Sequence, residues 1–244
     1  MGEKLESSPL VEALCEFRFS DEINWDWTIP GQLYDIIKDK GFEKKTQVQA
    51  GNVTVDTVGR KAQISFGTER VQLQHKNGSS LVQIGPNMLT VNVRDYDGWK
   101  NFKQLIQAIL KYQVDLLKDF SLSKVGLRYV NHLNFSVNNI DLENILTVAP
   151  SLQGNLEKDL LKFYQRYELN FDEPKGRLIH QTGTRNVDNG LTIVLDLDFV
   201  SQDVEELISI EKIGVFLDSA HEQILKVFVD SLNENYYLNL KEYT

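Results

Sequence analysis

The sequence predicts an α+β fold in which a curved antiparallel sheet is backed by two long helices. Three observations carry this expectation. Between Gln47 and Arg94, apolar and polar residues alternate in short runs broken by Gly59, Gly67, Asn77-Gly78 and Gly85-Pro86, as in an antiparallel meander. Two long stretches, 97–119 and 203–232, carry their apolar residues at helical spacing instead. The order strand, short helix, meander, long helix is met twice, and the segment Lys124–Phe135 opens the second pass. The halves, 1–120 and 121–244, share a pattern without visible sequence identity, and are expected to join edge to edge as one integrated unit.

The first half begins with a half-buried strand over 10–19. Val11, Ala13, Cys15, Phe17 and Phe19 point one way; Glu12, Leu14, Glu16 and Arg18 point the other. Cys15 falls on the apolar side and reads as a packed thiol. A short helix is expected over 29–40, with Pro30 in its first turn, Leu33, Ile36 and Ile37 as its stripe, and Gly41 as its stop. Trp25 and Trp27 precede it and read as its staple. Strands over 53–58, 62–66, 71–75, 81–84 and 89–94 form the meander. The helix over 97–119 lays Phe102, Ile106, Ile109 and Leu110 across the back of the sheet, with Trp99 in the core at its start.

In the second half, the strand over 124–135 alternates Val125, Leu127, Tyr129, Asn131 and Leu133 with Gly126, Arg128, Val130, His132 and Asn134. A short helix capped by Asp141 follows, then a loop marked by Pro150 and Gly154. Strands are expected over 160–171, 177–184 and 191–200, divided at 174–176 and at Asn189-Gly190. Residues 203–232 read as helical, with Asp203 and Glu206 as a capping box and Gly214 splitting the run in two. His221 sits on the apolar stripe of the longer piece, as a satisfied imidazole at the core edge; Glu222 points away from it.

Composition narrows the function. With 41% hydrophobic and 25% charged residues, the 244-residue chain can bury a sizeable core. A net charge of −9 argues against nucleic acid, since a duplex binder needs a basic face to meet phosphates. A single cysteine leaves no disulfide framework and no cysteine-rich zinc site. No apolar run reaches the ~18 residues a membrane helix needs, and the start, MGEKLESSPL, has neither the shape of a secretory signal nor the Ser or Thr at position 6 that favours myristoylation. A cytoplasmic protein without membrane contact fits these features.

Four segments carry a resemblance: SPLVEALCEFRF near the start, IGPNMLTVNVRDYDGWKNF in the middle, VGLRYVNHLNF at the second half's first strand, and LDSAHEQILKVFVDSL near the end. Together they resemble an uncharacterised, sporadically distributed prokaryotic family of roughly this length, with a PPxVEA-type N-terminal motif and an LDxxHExI-type C-terminal helix. This chain has Ser8-Pro9 where that motif has two prolines. The resemblance implies no activity, cofactor or catalytic residue. The fold expectation itself resembles the duplicated fold of TATA-binding proteins, and each half a helix-grip domain, a likeness that carries no function.

No phosphate-cradling glycine loop, nucleophile elbow or His-x-x-x-His or Cys-x-x-Cys spacing is present, so no cofactor or metal is implied. The four histidines, His75, His132, His180 and His221, are scattered. The open sheet face is rich in amides and charges. Gln72, Gln74, Asn92 and Arg94 come from the first half, and Arg128, His132, Asp196 and Asp198 from the second. The plain reading is a solvated face, with Arg128 joined to Asp196, Asp198, Glu12 and Glu16 in a network between the halves. The sharper reading makes those eight residues a seat for a protein or polar ligand. The expected function is therefore a non-enzymatic binding module. The alternative is an enzyme or nucleic-acid-processing factor whose site is built from Glu12, Arg128, His132, Asp196 and Asp198 at the junction of the halves.

Overall fold

The computed structural model describes residues 8–20, 25–56, 61–117, 121–136, 140–150, 162–187 and 190–242, with the backbone alone for 51–56, 61–67, 186–187 and 242. In chain order the elements are β1 (Leu10–Phe19), α1 (Ile29–Ile37), β2 (Lys44–Asp56), β3 (Lys61–Gln74), β4 (Ser80–Gly85), β5 (Met88–Val93), α2 (Trp99–Leu117), β6 (Leu122–Phe135), β7 (Tyr164–Asp172), β8 (Lys175–Val187), β9 (Gly190–Ser201), α3 (Ile210–Asp230) and α4 (Glu234–Glu242). Short 3-10 turns follow α1 and β6.

The strands form one antiparallel sheet in the order β2-β3-β4-β5-β1-β6-β9-β8-β7. The two strands that open the halves, β1 and β6, meet at its centre, with Ala13 opposite Tyr129 and Cys15 opposite Leu127. On its other side each pairs with the last strand of its own meander, β1 with β5 and β6 with β9. The halves thus share a connectivity, with a four-strand meander in the first and a three-strand one in the second.

Period-two alternation sorts the side chains onto two faces. Phe17, Leu73, Ile84, Leu89, Leu127, Leu195 and Phe199 line one face and are fully buried. Onto it pack Phe102, Ile106 and Leu110 of α2 and Ile213, Leu217 and Ile224 of α3, forming one continuous core across both halves. Each large apolar side chain buried there contributes about 1.5–3 kcal/mol. Cys15 lies in this core, a free thiol whose pKa burial pushes up. The opposite face carries half-buried Leu14, Gln72, Arg128, Val130 and Asp198.

Helix α1 ends where its sequence stops it. Gly41 takes a left-handed φ of 95°, and a Cβ there would fall 2.3 Å from Nε2 of His75. Trp25 and Trp27 meet edge to face just before the helix, at 5.5 Å.

Four elements differ from expectation. Gly67 does not break a strand; it pairs with Ala50 in a β2–β3 ladder that runs past it, with a register shift at Val48/Gln49, because a glycine weakens a strand without removing its hydrogen bonds. Asp203 caps no helix. It accepts from Lys175 at 2.5 Å, and α3 starts at Ile210 with the Ser209 hydroxyl accepting from the Lys212 backbone N–H. Gly214 does not divide α3. It lies inside the helix against α2, where a Cβ would come 2.6 Å from Nε2 at the movable end of the Gln107 side chain. The chain also adds α4, whose mixed sequence ENYYLNLKE gave no stripe to read. The turn at 21–24, Gly59, Gly154, Leu160 and Asn189 lie outside the described residues. No helix among the described residues is long and apolar enough to cross a membrane.

Candidate functional site

A cavity of about 360 Å³ lies between the helix-covered face of the sheet and the helices. Its floor is Tyr129 and Asn131 of β6 and Leu197 of β9; its walls are Tyr96 and Trp99 at the start of α2 and His221, Ile224 and Phe228 of α3. Tyr237 of α4 and the segment Ser8-Pro9-Leu10 complete the lining. Alternation along β6 places Tyr129 and Asn131 on the core face, and the small Ala13 opposite Tyr129 leaves its ring room.

Helices α2 and α3 are clamped at this point. Asp218 accepts from Trp99 Nε1 through Oδ1 at 2.8 Å and from Lys103 Nζ through Oδ2 at 2.5 Å. Trp99 and Lys103 stand one helical turn apart, as do Asp218 and His221, so the clamp also lays the His221 ring flat on Trp99 at 4.4 Å. A hydrogen-bonded chain runs from the Tyr96 hydroxyl to that of Tyr129 at 3.3 Å, and from Tyr129 to Nδ1 of His221 at 2.7 Å.

The Tyr96–Tyr129–His221 relay carries no formal charge. Burial pushes the His221 pKa down to about 4, against the pull of Asp218. Burial likewise raises both phenols, Tyr129 strongly. A phenol is the better acid, so Tyr129 donates to Nδ1 and the imidazole proton sits on Nε2. Nε2 has no hydrogen-bond partner among the described residues. Asn131 donates through Nδ2 to the Leu195 carbonyl at 3.2 Å, which leaves Oδ1 as an acceptor.

The eight residues expected on the open face do lie there, but in separate ladders. Arg128 holds Asp196 with both prongs, Nε to Oδ1 at 2.8 Å and Nη2 to Oδ2 at 2.5 Å, and Gln181 adds a bond at 3.4 Å. Asp198 sits opposite Arg128; burial raises its pKa against the pull of Lys124 and Arg128. Asn92 donates to Glu12 at 2.7 Å, with Arg94 at 3.8 Å from the same carboxylate. Gln72 donates to Gln83 at 3.0 Å, while Gln74 stands opposite Leu81. His132 faces Val194, its pKa lowered by burial and then by Arg185. Of the five residues of the junction alternative, only Arg128 and Asp196 are within hydrogen-bond reach of each other.

The Arg128–Asp196 pair gives a direct test of that network. Asp196 is 7% exposed, so Arg128→Ala strands a buried carboxylate. It is expected to cost about 2–3 kcal/mol in urea denaturation, the low end for a broken pair because the Arg128 side chain is 41% exposed. Arg128→Met combined with Asp196→Leu is expected to recover most of that loss, since an apolar pair leaves no charge unmatched.

The cavity has no continuous trace in the sequence, because its lining comes from β6, β9, α2, α3 and α4. The available signal was polar groups on apolar faces: Tyr129 and Asn131 on the buried row of β6, and His221 on the stripe of α3. Each of the four resemblance segments also supplies part of the lining: Ser8-Pro9-Leu10, Tyr96 to Trp99, Tyr129 with Asn131, and His221 to Val229.

Fold and site together define an α+β protein with one broad antiparallel sheet, one helix-covered face, and an aromatic cavity between the two layers. No protein-family model matches the chain, and no curated protein matches it in sequence.

Proposed function

We propose that this chain is a binding module, and that it seats a small ligand with an apolar body and a polar head in the cavity between the sheet and helices α2 and α3. The observation that carries this is the pairing of an apolar wall with the Tyr96–Tyr129–His221 chain. Binding sites of this size are mostly apolar with a few placed polar groups. The cavity is a better seat than the open face, where the polar groups largely satisfy one another across strands. The Tyr129 hydroxyl stands at hydrogen-bond distance from Nδ1 of His221, but burial raises the phenol's pKa well above its ordinary value, which favours binding over catalysis. A cytoplasmic location and membership of the family named above belong to the same proposal. The latter is supported by the convergence of all four resemblance segments on one cavity.

Replacing Ile224 with Trp should fill the cavity from α3. In a ligand-observed NMR screen of a neutral fragment library, hits on the parent protein should be lost with Ile224→Trp and kept with His132→Ala on the open face. Hits that ignore Ile224→Trp, or that vanish with His132→Ala instead, would sink the proposal.

A further inference from the structure

We infer that the cavity's ligand is an uncharged molecule with a carboxamide- or lactam-type edge, presenting an acceptor beside a donor. This rests on the cavity being the binding site. Charge comes first. Among the described residues no lysine or arginine lines the cavity, and His221 is neutral there. Among the described lining residues the single formal charge is Asp97, exposed at the rim, where Oδ2 accepts from Asn101 at 2.8 Å. A carboxylate or phosphate entering would lose its hydration, gain no cation from the described lining and pass an acidic rim.

An ammonium head fares no better. Asp218, the half-exposed carboxylate one turn from His221, has both oxygens engaged, one by Trp99 and one by Lys103. A cation beside His221 would be desolvated with no free counter-charge and with Lys103 close to the same carboxylate. Both signs of charge are therefore disfavoured for physical reasons of their own.

Hydrogen bonding sets the rest. Nδ1 of His221 is used by Tyr129, so Nε2–H is available as a donor. Nδ2 of Asn131 is used by the Leu195 carbonyl, so Oδ1 is available as an acceptor. The two side chains line the same cavity, above an apolar wall of Leu197, Ile224 and Phe228. A cyclic amide, a primary carboxamide or the amide edge of a heteroaromatic ring has the complementary pair. A ligand lacking either group leaves one protein group buried without a partner, a strong basis for selection.

The test holds the ring constant and changes the head: benzamide, benzoate and benzylamine, titrated by saturation-transfer NMR into the parent protein, Ile224→Trp and Asn131→Leu. Benzamide is expected to bind saturably and at least tenfold tighter than either charged probe. That preference should fall toward parity in Asn131→Leu. Benzoate or benzylamine binding as well as benzamide, in a manner Ile224→Trp abolishes, would overturn the ligand class and leave the cavity as the site. Failure of all three probes on the parent protein, or equal binding to Ile224→Trp, would overturn the site and this inference together. The head-group comparison on the parent protein decides the matter even where a variant does not fold.

Discussion

Trp99→Ala is expected to lower stability by about 3 kcal/mol and to remove ligand binding altogether. The ring does three things at once. It stacks on His221 at 4.4 Å, meets Phe102 edge to face at 6.2 Å, and donates from Nε1 to Asp218. Truncating a large core aromatic costs about 3–5 kcal/mol; Trp99 is only half-buried, so the lower end applies. The change also opens one wall of the cavity to water and exposes the face of the His221 ring. Trp99→Phe separates packing from hydrogen bonding: it keeps an aromatic plane over His221 and loses only the indole N–H, for about 1 kcal/mol. Urea denaturation of both variants checks this. Equal losses from the two would mean that the stacking contributes nothing and that Asp218 carries the contact between α2 and α3.

Much of the sheet was legible in the sequence because alternation is a local signal. The rows Ala13–Cys15–Phe17 and Leu195–Leu197–Phe199 stand on the face that period two assigns them, and each is fully buried. The first strands on either side of the boundary between the halves, β1 and β6, meet near the centre of the sheet. Ends of elements were less legible, because they depend on partners remote in sequence. Asp203 would cap a helix in isolation, but Lys175 on β8 takes its carboxylate. Gly214 would weaken an isolated helix, but α3 runs through it because Ile213, Phe216, Leu217 and Ile224 on either side are buried in the core.

The candidate site was legible only in pieces. On a strand read alone, Tyr129 is one more large residue in a buried row. Its hydroxyl acquires meaning only when α3 brings His221 to 2.7 Å and the turn before α2 brings Tyr96 to 3.3 Å. Separations of 92 and 33 residues along the chain carry no periodic trace. The open face shows the opposite behaviour. Arg128, Asp196 and Asp198 stood out in the sequence because charges on strands are conspicuous, and the structure gives Arg128 and Asp196 to each other.

The second large effect is on acid stability. The folded-state pKa of His221 is depressed, from 6.5 to about 4. Between those values the unfolded chain binds a proton that the folded one does not, so stability falls as pH falls through this window. The contribution is fully present above 6.5 and fully lost below about 4. The total is about 3 kcal/mol, on the scale of about 1.4 kcal/mol for each unit. His132 and His180 are shifted the same way by burial and add to the slope, so the parent protein alone cannot isolate His221. His221→Gln can, because its side-chain oxygen still accepts from Tyr129 and does not titrate. The difference in unfolding free energy between parent and His221→Gln, followed from pH 7.5 to 3.5, should change by about 3 kcal/mol in favour of the variant. Asp218 is the carboxylate one turn away, and its contacts with Trp99 and Lys103 are retained in the variant. A difference that stays flat across the window would mean that water reaches the imidazole in the folded state. The cavity would then be too wet to hold His221 as a neutral donor to a ligand.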